Sequence, residues 1–368
     1  MNILHICSYY NSSGIYAEMN SAYQRAGIPC TFYVPLRASQ KRNRPEANVK
    51  ESVCFTGMDR FFFHHKHRKI LKDFYSQIGG IEGYSLLHAH SLFSNGYIAY
   101  RLKQAHNIPY ITAVRSTDMN TFFKKMPHLR SLGVKILRNA CAVVFLSEAY
   151  RDELLARYVP AGDREAIRKK SHVIPNGINA FWLGHKISRE KLPDTQTIRI
   201  IFAGTIDRNK NAAVTAQACQ LLINQGYSVT FTAVGSAADQ RVYRQLQQYP
   251  FVKCLAKRPK EELITEYRKN DLFVMPSISE TFGLVYAEAM TQGLPVIYTK
   301  GQGFDRQFEE GTVGYHVDCR NPREIADRVL DCMKNYAALS KNCCTFSERF
   351  NWDTIAQEYK NLYEALDS

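Results

Sequence analysis

Residues Pro276–Val296, PSISETFGLVYAEAMTQGLPV, hold the sharpest chemical arrangement in the chain. An apolar strand, Leu272–Met275, runs into a polar loop, then Gly283, then a helical stretch over Leu284–Gln292 that ends at Gly293 before Pro295. Glu280 stands in the loop and Glu288 on the helix, eight positions later. A strand-to-helix junction presents unpaired backbone N–H groups and the positive end of a helix dipole, which suits a phosphate. Carboxylates flanking that point can accept hydrogen bonds from hydroxyls on either side of it, as the ribose and the sugar of a nucleotide sugar would offer. The plain structural alternative makes Glu280 a helix-dipole partner and Glu288 a solvated helix residue.

Other candidates are less selective. His88 and His90, in LLHAHS, point to one side of a strand and could ligate a metal; with no third ligand apparent, lining of a core or cleft is the simpler expectation. The loop Ser8–Gly14 follows the first strand, and its single Gly14 is far from a dinucleotide fingerprint. Asp118, in VRSTD, is a site candidate or a turn cap. Asp207, Asp305, Glu309 and Glu310 have nothing that selects them over solvated loops. Residues Asp59–Ile81 mix Phe61–Phe63 with His64, His65, Lys66, His67, Arg68 and Lys69. That stretch reads as an interfacial helix or as a buried aromatic edge with a basic solvent face, and Lys41–Arg44, KRNR, adds to the same field.

The elements that must position these residues alternate. Strands are expected at Ile3–Cys7, Thr31–Val34, Ser85–His88, Tyr110–Val114, Ala142–Leu146 and His172–Ile174, with helices such as Ile15–Arg25, Gly96–Gln104 and Glu148–Arg157 between them. After a seam at about Asn176–Thr197 the alternation restarts with Arg199–Ala203, Ser228–Val234, Asp271–Met275, Pro295–Tyr298 and Gly314–Val317. Short β-prone runs alternating with helices indicate βαβ units on parallel sheets. Two Rossmann-like doubly wound α/β domains facing across a central cleft are expected, with ligands at the carboxyl ends of the strands.

The segment S-E-T-F-G-L-x-x-x-E-A-M-x-x-G-x-P-V resembles the donor-binding signature of the retaining, GT-B-fold glycosyltransferases of family 4. IRIIFAGTIDRNKN resembles the strand and glycine turn that opens that family's second domain, and HVIPNGIN the end of its first. LLHAHS and ITAVRSTDMN resemble the first-domain strands facing the cleft, and NWDTIAQEYKNLY the helix that crosses back. The resemblance implies a GT-B fold with an acceptor-side domain over 1–180, to which helix 352–368 returns, and a donor domain over 198–351. It implies a retaining transfer from a nucleoside-diphosphate sugar, UDP favoured over GDP, to a carbohydrate or lipid-linked acceptor, with a role in cell-envelope polysaccharide synthesis. Glu288 would hold the ribose, Glu280 would contact the sugar, and Phe282, Gly283 and Leu284 would face sugar and diphosphate. Lys210 would neutralise the leaving diphosphate beside Gly204 and Thr205. Thr205 stands where the family often carries Arg, and Arg208 is the candidate to compensate. Arg115 stands where the family often carries His; always protonated, it can bind phosphate or carboxylate but cannot act as a base. With Asp118 it joins Glu280 as a catalytic candidate. Gly14 and His90 belong to the expected acceptor or phosphate loop, and Leu255–Pro259 is a loop that would read the base. No Asp-x-Asp occurs, so no metal and no other cofactor are expected.

Composition bounds these readings. The chain has 368 residues, enough for two domains, and no apolar run long enough to span a bilayer. Its ten cysteines are scattered without a C-x-x-C pair, which with no leader segment points to a reducing cytoplasm. The net charge is +14, and it is one-sided: residues 1–200 carry +15 and residues 201–368 carry −1. Such a field fits an anionic membrane surface, an acidic substrate or nucleic acid. No nucleic-acid-binding motif appears, so a basic nucleic-acid-binding protein is the more distant alternative and no nucleic-acid partner is expected. A GT-B nucleotide-sugar epimerase is the nearer one. The expected location is cytoplasmic, with peripheral contact at the inner membrane face.

Overall fold

The computed structural model describes residues 1–12, 14–40, 46–189 and 196–367, so the KRNR run lies outside the described residues. The chain divides into two compact α/β units. The first comprises Met1–Leu146, Arg151–Gly177 and Trp352–Ser368, the second Ser147–Tyr150 and Ile178–Asn351.

In the first unit the chain runs β1 (Ile3–Ile6), α1 (Ile15–Arg25), β2 (Cys30–Arg37), β3 (Val49–Phe55), α2 (Phe63–Ile78), β4 (Leu86–Ala89), α3 (Gly96–His106), β5 (Tyr110–Ala113), α4 (Arg130–Asn139) and β6 (Ala142–Phe145). It continues through α5 (Glu148–Tyr158), α6 (Ala161–Lys169) and β7 (Ser171–Val173). The strands form one sheet in the order β3-β2-β1-β4-β5-β6-β7, every pair parallel. β1, β4, β5 and β6 are buried along their whole length, as strands covered by helices on both faces must be.

In the second unit the elements are α7 (Ala180–Gly184), β8 (Thr197–Ala203), α8 (Ala212–Asn224), β9 (Ser228–Val234), α9 (Gln240–Gln247), β10 (Val252–Leu255), α10 (Lys260–Lys269) and β11 (Leu272–Val274). They are followed by α11 (Leu284–Thr291), β12 (Val296–Thr299), β13 (Gly314–Val317), α12 (Pro322–Lys334) and α13 (Tyr336–Phe346). The second sheet is also parallel, in the order β10-β9-β8-β11-β12-β13. In both sheets the order in which strands are added reverses once, beside β1 and beside β8. Ligands on doubly wound sheets bind at that reversal, outside the carboxyl ends of the strands. The first unit therefore presents the segments after β1 and β4, and the second those after β8 and β11.

The chain closes on α14 (Trp352–Asp367), which packs into the first unit. Arg25 grips Asp353 Oδ1 through Nε at 2.9 Å and Nη2 at 2.6 Å, and the Trp352 indole donates to Glu18 Oε2 at 3.1 Å. A Cβ on Gly177 would lie 2.5 Å from the Trp352 ring, so a residue without a side chain is what admits the indole.

β3 and β10 answer to no expected strand. Both are sheet-edge strands; β3 is buried at only two positions and β10 at none. An edge strand carries polar residues such as Lys50, Glu51 and Lys253 and so lacks the apolar run that marks a central one. All ten cysteines are free. Among the described residues no helix is long and apolar enough to cross a membrane.

Candidate functional site

The carboxyl ends of β8, β9 and β10 open onto a cavity of about 430 Å³ in the second unit, a size that suits a small ligand. Gly204 and Thr205 line it at the end of β8, Gly235 and Ser236 at the end of β9, Lys257 and Arg258 after β10, and Glu288 from α11. Two glycines meet at its floor. A Cβ on Gly235 would lie 1.7 Å from the Gly204 carbonyl oxygen, so adjacent strand ends approach only because residue 235 has no side chain. Lys260 Nζ donates to Asn179 Oδ1 at 2.9 Å, which ties the start of α10 to the turn before α7. The loop expected to read a base, Leu255–Pro259, contributes Lys257 and Arg258.

The reversal beside β8 brings the glycine-turn residues to the loop after β11. Asp207 Oδ1 accepts from the Lys210 amide at 2.8 Å and sets the turn that carries the lysine. Asn209 fastens that turn to the next loop: its Nδ2 donates to the Ser279 carbonyl at 2.9 Å and its Oδ1 accepts from the Ser279 amide at 3.1 Å. The Lys210 ammonium is then ion-paired with Glu280 Oε2. Both side chains are mostly covered, 24% and 12% exposed, so each charge depends on the other in the free protein.

The loop itself is built from behind. The Glu280 amide donates to Gln302 Oε1 at 2.9 Å, and the Glu280 carbonyl accepts from the Gly303 amide at 2.8 Å. A Cβ at Gly303 would come within 2.1 Å of the Thr281 carbonyl carbon. Phe282 is buried and its ring packs at 5.4 Å from that of Phe350, which anchors the chain before the helix. Gly283 precedes α11 at φ +81 and offers no side-chain cap, so the first amides of α11 stay available to a ligand. A left-handed φ favours glycine there, and a Cβ would also strike the Tyr286 ring at 2.5 Å. Leu284 opens the helix and Glu288 lies one turn on. Arg208 stands apart: its guanidinium lies 3.3 Å from Asp239, with the side chain 70% exposed.

In the first unit the loops after β4 and β5 are held together by Asp118. Its carboxylate accepts from the amides of Leu92 at 3.0 Å, Phe93 at 3.0 Å and Arg115 at 2.8 Å. Burial pushes this carboxyl up to about 6, against the pull of those amides and of Arg115. With every oxygen facing backbone, Asp118 is suited to positioning rather than to touching a substrate. Asp118→Ala leaves three N–H groups unpartnered, at about 1 kcal/mol or more each. The expected result is a fall of roughly 6–12 °C in that unit's unfolding midpoint; calorimetry showing no change would remove the assigned role. Arg115 is mostly covered, and its Nε donates to the His90 carbonyl at 3.2 Å. Gly14 sits exposed at the start of α1, its carbonyl accepting from the Glu18 amide at 3.1 Å.

His88 and His90 gain the third imidazole that sequence spacing did not offer: His5, level with His88 in the β1–β4 register, and all three are buried. Their nearest nitrogens all lie within 4.8 Å of one another. Two of the three ring pairs, however, are stacked, His88 on His90 at 4.3 Å and 26° and His5 on His90 at 5.2 Å and 19°, and His5 and His88 are tilted by 44° at 5.1 Å. A metal must lie in the plane of each imidazole at about 2.0–2.1 Å, and the two stacked pairs, His90 with His5 and His90 with His88, do not present such converging planes. His5 Nδ1 is bonded to His90 Nε2 at 2.9 Å and His88 Nδ1 to the Tyr363 hydroxyl at 2.7 Å, while the second nitrogen of each ring, His5 Nε2, His88 Nε2 and His90 Nδ1, is buried without a hydrogen-bond partner among the described residues. Burial lowers His5 to about 3 and the other two well below their ordinary value, so the trio is a neutral stack at pH 7.

Residues 185–348 match the family model Glycosyl transferases group 1, and residues 16–180 match Glycosyltransferase Family 4. Among curated proteins, the D-inositol 3-phosphate glycosyltransferase of Paenarthrobacter aurescens is 25% identical over 94% of this chain and 87% of its own length. The protein of the same name from Corynebacterium kroppenstedtii is 28% identical over 76% of this chain and 67% of its own. Among solved structures, the sucrose-phosphate synthase of Thermosynechococcus elongatus superposes with a TM-score of 0.77 at 20% identity, covering 100% of this chain and 99% of that one. HepE of Anabaena, in complex with UDP and glucose, gives a TM-score of 0.69 at 18% identity over 99% of this chain and 100% of that one. These likenesses share the fold of two doubly wound parallel sheets, and the two family matches run one through each sheet. The chain belongs to the GT-B glycosyltransferases of family 4.

Proposed function

We propose that this glycosyltransferase moves a sugar, with its anomeric configuration retained, from a nucleoside-diphosphate sugar to a carbohydrate or lipid-linked acceptor, UDP-sugar being favoured over GDP-sugar. The observation that carries the reading is the second unit's strand-end cavity, with Glu288 on its wall, and the Lys210–Glu280 pair held on the neighbouring turn and loop. Glu288 accepts from the ribose hydroxyls, and the Lys257–Arg258 loop borders the base. The diphosphate meets the open amides of α11 and draws the Lys210 ammonium to itself, which frees Glu280 for the sugar hydroxyls. The uridine preference is supported by related structures that hold UDP and UDP-glucose.

In the transfer the bond between the anomeric carbon and the diphosphate oxygen breaks. The acceptor oxygen bonds to the same face of the sugar, and its proton passes to the departing phosphate oxygen. No protein base is required. Charge that grows on the leaving group is met by Lys210 and the helix amides, fixed in place before the reaction, and no divalent cation is invoked. Arg115, in the first unit, offers a permanent cation to a phosphate or carboxylate. The role proposed for the product is cell-envelope polysaccharide synthesis, carried out at the cytoplasmic face of an anionic membrane.

Proton NMR of the product decides the stereochemistry: the coupling of the transferred anomeric proton keeps the donor's configuration. An inverted anomer would defeat the retaining mechanism. Conversion of the nucleotide sugar with acceptor omitted would replace the transfer by epimerisation.

A further inference from the structure

We propose, on the donor reading above in which Glu280 meets the sugar, that His316 is a positioning residue of the transfer. Through Asp305 it holds the turn on which the backbone of Glu280 rests. All of these residues belong to the second unit.

Asp305 is where the support gathers. Its place in the sequence did not set it apart from solvated loops, yet its side chain is only 8% exposed. Its Oδ2 accepts from the Gly301 amide at 2.7 Å, and its own amide donates to the Gln302 carbonyl at 2.8 Å. Those bonds close residues 301–305 into a turn. Gly301 enters it at φ +74 and Arg306 leaves it at φ +64. A left-handed backbone on a residue with a side chain persists only where its surroundings over-determine it. One anchor is the Phe304 ring, packed 4.8 Å from that of Tyr286 and 5.2 Å from that of Tyr298. The other is His316, whose Nδ1 lies 3.0 Å from Asp305 Oδ1; a carboxylate accepts, so the ring donates.

The middle residues of the turn carry Glu280. The Gln302 side chain accepts from the Glu280 amide, and the Gly303 amide donates to the Glu280 carbonyl. Both polar backbone groups of Glu280 therefore end on adjacent residues of the turn, and a shift of the turn moves Glu280 with it. Displacement of a substrate-positioning group by a fraction of an ångström is enough to slow a reaction.

His316 is held from its other side as well. It stands on β13 level with Tyr298 of β12, and its Nε2 lies 3.2 Å from Glu310 Oε2. Arg328 approaches the other oxygen of Glu310 at 3.7 Å. The two ring nitrogens thus have separate tasks, Nδ1 toward the turn and Nε2 toward Glu310. A ring that only fills space or balances charge is served by either contact, whereas one that positions Glu280 needs the first.

An asparagine amide reaches the place of Nδ1, and a glutamine amide that of Nε2. His316→Asn therefore keeps the bond to Asp305, and His316→Gln keeps the one to Glu310. In the full-length protein, His316→Gln is expected to speed hydrogen exchange at the Glu280 and Gly303 amides about tenfold. It is expected to lower kcat for release of UDP from UDP-glucose about tenfold, with KM changed less than about twofold. His316→Asn restores wild-type exchange and turnover. UDP affinity is the same in both variants, which shows the second unit folded with its cavity intact. Adding His316→Gln to Glu280→Gln costs no further turnover, because the two changes act on one contact. Wild-type exchange in His316→Gln overturns the proposal, as do equal losses in the two single variants or an undiminished further loss in the double variant. Failure of the wild type to bind UDP counts against the donor reading instead, and the exchange comparison still decides whether His316 holds the Glu280 loop.

Discussion

Lys210→Met lowers kcat about 10²–10³-fold while the protein remains folded. Lys210 is the cation that the turn set by Asp207 and Asn209 delivers to the Glu280 loop. In the free protein its charge is met by Glu280, and in the proposed donor complex it turns to the diphosphate. Leaving-group charge grows as the glycosidic bond breaks, so the loss falls on kcat more than on KM. The variant also strands the largely covered Glu280 carboxylate, which costs stability. Lys210→Met/Glu280→Gln therefore recovers the melting temperature of the wild type but not its turnover. Recovery of turnover in the double variant would reduce Lys210 to a structural partner of Glu280.

The second large effect is on binding. Glu288→Ala weakens nucleoside diphosphate at least roughly 10²-fold, the loss of two hydrogen bonds to a charged acceptor at about 1.5–3 kcal/mol each. Glu288 comes from α11 and Lys257 and Arg258 from the segment after β10, yet all three border the same cavity. With Glu288 on the ribose as proposed, the contact is the same in the ground and transition states, so KM is expected to rise and kcat to change little. A variant that binds normally but turns over slowly would move Glu288 from the ribose to the reacting sugar.

How much of this was legible in the residues follows from where the chain keeps its partners. Glu280, Gly283 and Glu288 belong to one strand–loop–helix unit, so local spacing carried the element boundaries and the places of the proposed site residues on them. The helices over Ile15–Arg25 and Glu148–Tyr158 and the strands over Ser228–Val234 and Gly314–Val317 were legible because their apolar periodicity or β-prone runs end at turn residues. Gln302 and Gly303, which support the Glu280 backbone, come from a different loop and give no local sign beyond a glycine. His5 is 83 residues from His88, and only the pairing of β1 with β4 makes them neighbours. Asp118 showed an acidic residue in a turn but not that three amides from two loops converge on it. Arg208 looked well placed two positions before Lys210, yet its side chain leaves the turn toward Asp239. The basic aromatic run Asp59–Ile81 left two readings open, and the exposure of Phe61 and Phe62 is a property that periodicity does not separate from burial.

In the proposed function the second unit binds a nucleoside diphosphate through its own residues. Calorimetric titration of the wild-type protein with UDP, GDP, ADP and CDP, each with and without EDTA, tests it most directly. UDP is expected to bind most tightly, with an affinity that the chelator leaves unchanged. Binding of none of the four would contradict the cavity assignment, and binding of UDP that vanishes with EDTA would put a divalent cation where Lys210 and the helix amides have been placed.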